Sequence, residues 1–190
     1  MKTEADIIRI IEKDDWMMNI LHIAKSLHLP DWWVCAGFVR SKIWDTLHEY
    51  QERTPLPDID VIYYDSTDVS VNKEKELETR LKLFDPTIPW SVKNQARMHD
   101  KNNVPPYTSS VDAMSKFPET VTALGVALDI EGNLMLAAPC GIHDVIHLEV
   151  RPTAYFKETK ERMQIYKNRI LNKKWSMKWP KLKIYNADLF

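Results

Sequence analysis

Apolar positions recur along the chain with two periods, and the alternation between them outlines the fold. Met17, Ile20, Leu21, Ala24 and Leu27 fall at three- and four-residue spacing, which predicts helix within residues 3–29, ended by Pro30. Lys13-Asp14-Asp15 interrupts that stripe and sets off a first short helix carrying Ile7, Ile8 and Ile11. Residues 32–36 are continuously apolar and predict a buried strand. After Gly37 the pattern turns helical over about 39–50, and beyond a Pro-bounded turn a second strand opens with Asp58-Ile59-Asp60. Leu77, Leu81 and Phe84 predict a helix over 73–84, closed by Asp85-Pro86, with a short strand expected at 90–94. Residues 100–120 are polar and punctuated by proline, as in a long loop with a helical turn, and Tyr107 there is a candidate stacking surface. Residues 121–138 read as a hairpin around the acidic turn 129–133. A short helical or extended segment (141–150) should come next. Arg151-Pro152 breaks it before a final long helix over 155–173, and the tail, 175–190, is expected to fold back on the core.

The stretch 32–65 organises the rest. Side chains alternate along a strand, so Asp58 and Asp60 point the same way, roughly 7 Å apart. Two carboxylates that close repel unless a cation lies between them. Magnesium suits the pair, because it favours oxygen ligands, takes one or two protein carboxylates and keeps its other positions for water and phosphate. Manganese is the alternative ion. Gly37, at the strand-to-helix junction, lets a phosphate approach the backbone, where free N–H groups and the positive helix end favour an anion. Arg40, in the first turn, offers a charged fork to a phosphate oxygen. Asp-x-Asp alone is common at surface turns; its place 21 residues after a strand-glycine-helix junction gives it weight.

Ala36-Gly37-Phe38-Val39-Arg40, followed by Asp58-Ile59-Asp60-Val61-Ile62-Tyr63, resembles the hG[GS]…DhDhhh signature of the nucleotidyltransferase superfamily. Within it the chain is similar to the head domain of tRNA CCA-adding enzymes and bacterial poly(A) polymerases, whose first motif reads GGxVRD. Ala36 stands where that motif has its first glycine, and Ser41 where it has its acid. Nearly the whole chain resembles the bacterial nucleotidyltransferase-like family DUF925, through residues 90–99 (WSVKNQARMH) and Val150-Arg151-Pro152-Thr153. The resemblance implies one α+β domain over 1–190: an N-terminal helical part (3–29), a core (32–152) carrying a mixed, mostly antiparallel sheet flanked by helices, and a C-terminal helix and tail (153–190). It implies a metal-dependent transfer of a nucleoside monophosphate from a triphosphate to an acceptor hydroxyl. Asp58 and Asp60 would be catalytic and hold the metal; Gly37, Arg40, Lys93 and Asn94 would meet the nucleotide.

Nucleotidyltransferases often carry a third carboxylate on the strand at 90–94, and here it offers Ser91, Lys93 and Asn94. The CCA-adding branch uses two acids, which favours an active enzyme, with Asp129 a weaker third candidate. The alternative is a non-catalytic module of the same fold that binds a nucleotide or RNA. The segment after Val150 is too short for the helical neck, body and tail with which CCA-adding enzymes recognise tRNA, so no acceptor is assigned.

Composition changes this picture little. With 44% hydrophobic and 28% charged residues the chain is of ordinary globular type, long enough to bury a core. The formal charge of −1 conceals ten basic against two acidic residues between Lys157 and Lys183, a segment able to meet nucleic acid or simply to be a solvated face. Trp175 and Trp179 lie within it and are the two tryptophans to test for stacking on nucleic acid. Two cysteines without a CxxC pair suit a reducing interior. An acid-interrupted start unlike a signal sequence and the lack of a long apolar run complete the expectation of a cytoplasmic protein without membrane contact. Nothing in the sequence fixes an oligomeric state. His143 and His147, four apart, share a helix face as zinc ligands do, but Asp144 stands where a zinc hydrolase has glutamate.

Overall fold

A computed structural model describes residues 1–102 and 104–185. Five strands build the central sheet: β1 (Trp33–Cys35), β2 (Ile59–Tyr63), β3 (Trp90–Asn94), β4 (Gly125–Leu128) and β5 (Leu134–Ala137), in the spatial order β3-β2-β1-β4-β5. Every pairing is antiparallel except β2 with β3, which run parallel. The parallel pair requires a crossover.

Two helices precede the sheet, α1 (Glu4–Glu12) and α2 (Asp15–Lys25), split where Lys13-Asp14-Asp15 interrupts the stripe. Thr3 closes a capping box on α1, and Asp14 accepts from the Met17 N–H to start α2. α3 (Gly37–Leu47) leaves β1 directly, and α4 (Val71–Phe84) makes the β2–β3 crossover. α4 also guards the free edge of β3: Glu78 accepts the Val92 N–H at 2.9 Å and Glu74 the Asn94 N–H at 2.9 Å, which denies that edge to another chain. α5 (Gln95–Asn102) and α6 (Ser110–Ser115) come after β3, and the 129–133 turn joins β4 to β5.

The strands' period of two divides the molecule. Val34, Ile59, Val61, Val92, Val126 and Leu128 face the main core with Ile7, Ile11, Met17, Ile20 and Leu21. On the opposite face Cys35 and Ile62 meet Met114 and Ala137 in a small cluster, and Asp60 lies on this side. Asp60 thus shares its face of the sheet with a small apolar cluster and lies away from the main core.

The C-terminal third wraps back. α7 (His143–Ile146) precedes β6 (Glu149–Val150); α8 (Ala154–Lys157), α9 (Lys160–Lys173) and α10 (Trp175–Lys178) lead to β7 (Lys183–Ile184), which pairs in parallel with β6. The expected single helix over 155–173 is two, because the Thr159 side chain caps a new start by accepting from the Arg162 N–H. Tyr166 clamps the return by donating to the carbonyls of Val150 (3.2 Å) or Tyr185 (2.9 Å). Of the expected folded-back tail, 175–185 does so and 186–190 lie outside the described residues. The expected long loop at 100–120 holds parts of α5 and α6, with Asn103 outside the description. Among the described residues no helix is long and apolar enough to cross a membrane.

Candidate active site

The turn between β1 and α3 sets the site. Ala36 has φ +56° and ψ −114°, a backbone region that favours glycine, held by a hydrogen bond from its N–H to the Leu124 carbonyl (2.9 Å). Such a conformation costs an alanine on the order of 1–3 kcal/mol. It turns the chain sharply enough for α3 to begin at Gly37, at the wall of a cavity of about 510 Å³. The N-cap residue, Ala36, has no side chain able to cap that helix, and among the described residues no side-chain acceptor takes up its first N–H groups. A Cβ on Gly37 would touch only Arg40 Nη2 (3.6 Å) and Leu56 Cδ2 (3.8 Å), ordinary contacts. The fold itself therefore tolerates a side chain there; what the glycine leaves is room at the helix tip.

Asp58 immediately precedes β2, one residue outside the strand that was expected to include it, and Asp60 lies within it; both line the cavity. Burial pushes the Asp60 carboxyl up to about 6, and the charge of Asp58 adds to the effect, against the Ser91 hydroxyl and the charges of Lys173 and Lys93. Ser91 is the register partner of Asp60 on β3. The segment leading to Asp58 is fixed from α3: Asp45 accepts from the Thr54 N–H (2.9 Å) and hydroxyl (2.7 Å), and also from Trp179 Nε1 (2.8 Å).

Arg40 reaches the cavity from the first turn of α3 and is 8% exposed. Its guanidinium carbon lies 4.3 Å from the Trp175 ring, 5.0 Å from Trp44 and 5.9 Å from Trp179. Its one hydrogen bond is a 3.5 Å contact from Nη2 to Ser41 Oγ, Nε has no partner, and among the described residues no carboxylate pairs with it. Burial pulls its pKa down to about 10, while Glu119 pulls upward. A buried cation without a direct counter-ion beside a cavity is a site for an anion.

A further part of the wall comes from the C-terminal third, close against Arg40. Arg169, Asn172 and Lys173 of α9 and Lys178 of α10 line the same cavity as Asp58, Asp60 and Gly37. Arg169, Asn172, Lys173 and Gln95 are site residues that sequence reasoning missed; the excess of basic residues between Lys157 and Lys183 was the available signal. Lys93 lines the cavity, with Nζ donating to Glu78 (3.1 Å) and to the Val92 carbonyl (2.9 Å).

Several expectations need correction. Asn94 is fully buried and does not border the cavity: its amide donates to the carbonyls of Asp65 (2.7 Å) and Asp68 (2.9 Å), and its oxygen accepts from the N–H groups of Asp65 and Ala96. It staples a loop and has nothing left for a nucleotide. Trp175 and Trp179 are buried around Arg40 and Trp44; they border the cavity and offer no exposed face for stacking at the surface. Tyr107 is likewise buried, its hydroxyl accepting from Asn102. Asp129 turns into its own hairpin, accepting from the Asn133 N–H and amide, far from a ligand role at the cavity. His143 and His147 stack at 4.2 Å. Among the described residues, His143, Asp144 and Glu149 form the one cluster of three potential metal ligands, and Arg151 already serves it, 2.7 Å from Glu149 and 3.5 Å from Asp144.

A mixed sheet whose neighbouring strands bring two acids and a glycine-started helix to the wall of one cavity, lined also by basic side chains, matches the framework of a nucleotidyl-transferring head domain. The chain belongs to the nucleotidyltransferase family, whose model matches residues 22–184. A solved structure described as revealing a CCA-adding enzyme head domain is 38% identical, with a TM-score of 0.86 and 98% of each chain covered. The complex of a CCA-adding enzyme with CTP (13% identity, TM-score 0.58, 95% of this chain) and that of the Thermotoga maritima CCA-adding enzyme with tRNA (13%, 0.57, 96%) share the fold; this chain spans 42% of the length of each. No curated protein matches the chain significantly.

Proposed function

We propose that the cavity binds a nucleoside triphosphate with Mg2+, Mn2+ being the alternative, and transfers its nucleoside monophosphate to an acceptor hydroxyl with release of pyrophosphate. The observation that carries this reading is the convergence on one cavity of two acids, Asp58 and Asp60, and a buried cation without a carboxylate partner among the described residues, Arg40, at a helix tip that its N-cap side chain does not cap. The acids fit a divalent ion, since their mutual repulsion is what a cation between them relieves. When bound, such an ion supplies charge neutralisation and alignment of the triphosphate.

The chain's own residues divide the remaining work. The Gly37 tip and Arg40 bind phosphate oxygens, and Lys173 and Arg169 add positive charge from α9. Attack of the acceptor oxygen on the α-phosphorus forms one P–O bond, releases the hydroxyl proton to solvent and breaks the bond to the departing pyrophosphate, whose charge these cations stabilise. A fold relative whose structure was solved in complex with CTP makes the four nucleoside triphosphates the first ligands to test. Lys173 and Lys178 at the cavity suit an acceptor that carries phosphate, such as a nucleic-acid end. Pyrophosphate release across a panel of triphosphates and acceptors should be lost in Asp58→Asn with the fold intact; unchanged release in that variant would remove the reading.

A second reading is a non-catalytic nucleotide-binding module, favoured by the hydroxyl of Ser91, in place of an acid, beside Asp60. Binding without release for every combination in the same panel would support it.

A further inference from the structure

Glu119 is fully buried, and the cavity residues Phe117, Pro118 and Thr122 flank it in sequence while its own side chain does not border the cavity. Its backbone is fixed: a bridge pairs it with Pro152, its carbonyl accepts the Thr122 N–H (3.1 Å), and the Thr120 N–H on its C-terminal side donates to the Arg151 carbonyl (2.9 Å). The carboxylate accepts from the Thr122 hydroxyl (2.9 Å) and from Arg169 at Nε (2.8 Å) and Nη2 (3.4 Å). Arg169 lies 50 residues along the chain, on α9, and keeps 38% of its side chain exposed. Glu119 is also the strongest favourable charge acting on Arg40. One buried carboxylate therefore stands behind two arginines that reach the cavity from different helices.

Fully desolvating a carboxylate is costly, and a single partly exposed arginine repays it poorly compared with apolar packing of similar size. The geometry gains something else. Nε and one Nη of Arg169 are committed to Glu119, so the plane of the guanidinium is set and its remaining edge is directed by that bond. Asn172 and Lys173 come three and four residues later on the same helix face, and all three line the cavity. Fixing Arg169 thus fixes the cavity-facing side of α9.

We propose that Glu119 is a positioning residue for polyphosphate recognition, holding Arg169 near Arg40 so that α3 and α9 each present a guanidinium to a triphosphate in the cavity; this rests on the reading that the cavity takes a nucleoside triphosphate. The role makes a prediction opposite in sign to simple charge balance. Replacing Glu119 by glutamine removes a negative charge near the cavity and on Coulombic grounds should tighten any anion. If Glu119 positions Arg169, affinity falls instead.

The test is calorimetric titration of the full chain with inorganic tripolyphosphate and with each nucleoside triphosphate plus Mg2+, comparing wild type, Glu119→Gln and Glu119→Asp. Folding is checked by the dispersion of amide resonances. Glu119→Gln should bind tripolyphosphate about tenfold more weakly, as expected for loss of one charge-assisted, oriented contact, and the protected Arg169 Nε–H resonance of wild type should disappear. Glu119→Asp should recover part of both. Folded Glu119→Gln that binds as tightly as wild type, or tighter, overturns the proposal alone. Wild type that binds neither tripolyphosphate nor any nucleotide overturns the cavity reading and this proposal with it. Should Glu119→Gln fail to fold, Arg169→Lys carries the test: it keeps the charge and gives up the fixed fork, so undiminished tripolyphosphate affinity there overturns the proposal and a comparable loss supports it.

Discussion

Asp60 gives the site a measurable signature in stability. Its carboxyl is raised from 3.8 to about 6 by burial and by the neighbouring Asp58. At about 1.4 kcal/mol per pH unit, that displacement means the ionised side chain costs the folded state about 3 kcal/mol. The sign comes from proton linkage. Between 3.8 and about 6 the folded protein holds a proton that the unfolded chain has released, so stability falls as pH rises through this window and the full cost is present above it. Asp60→Asn removes the charge while keeping size and a group able to meet Ser91. The variant should be more stable than wild type by up to about 3 kcal/mol near pH 7.5 and nearly equal to it near pH 4. Urea unfolding at the two pH values measures this, and the difference of differences cancels contributions from other carboxylates. Millimolar Mg2+ should recover much of the deficit for wild type at the higher pH and leave Asp60→Asn unmoved. Equal destabilisation of the variant at both pH values would refute the reasoning, because it would show Asp60 serving as an ordinary structural partner.

Two further substitutions probe the scaffold. Ala36→Gly relieves the positive φ at the strand-to-helix turn and should stabilise the protein by about 1 kcal/mol in urea unfolding; a loss of stability would mean that the turn carries no strain. Asn94→Ala leaves the carbonyls of Asp65 and Asp68 and two N–H groups without their partner, and should cost about 3 kcal/mol, whereas near-neutrality would restore Asn94 as a candidate for binding the nucleotide.

Where the chemistry is local, the sequence shows it. The apolar run before Gly37 and the Asp58-Ile59-Asp60 opening of an apolar run mark a strand-glycine-helix junction and a pair of like-facing acids, because strand alternation alone sets their direction. The contribution of α9 is different in kind. Arg169 and Lys173 meet Asp60 only through packing of Met163, Tyr166 and Ile170 and the β6–β7 pairing, and no local period encodes that meeting. Polar flanks also mislead: Trp175 and Trp179 sit among lysines in sequence, yet the indoles turn inward onto Arg40 while the lysines stay exposed. Asn94 shows the same limit from the other side, since a polar residue ending a strand beside a site can bind a ligand or staple a loop, and only the positions of Asp65 and Asp68 decide. The break at Thr159 runs against the expectation of one helix over 155–173, although a capping hydroxyl followed by an acid in the first helical turn was a local signal for it.

On this reading one cavity, lined by the Gly37 helix tip, Asp58 and Asp60 at the start of β2 and the basic face of α9, takes a nucleoside triphosphate. Residue-resolved NMR titration with each of the four triphosphates plus Mg2+ tests it directly, with Asp60→Asn as comparison. The account predicts saturable shifts for at least one nucleotide at Gly37, Phe38, Asp58, Asp60, Arg169 and Lys173 together, weakened in the variant. Shifts confined to residues outside that wall, or no shift with any of the four, would contradict it.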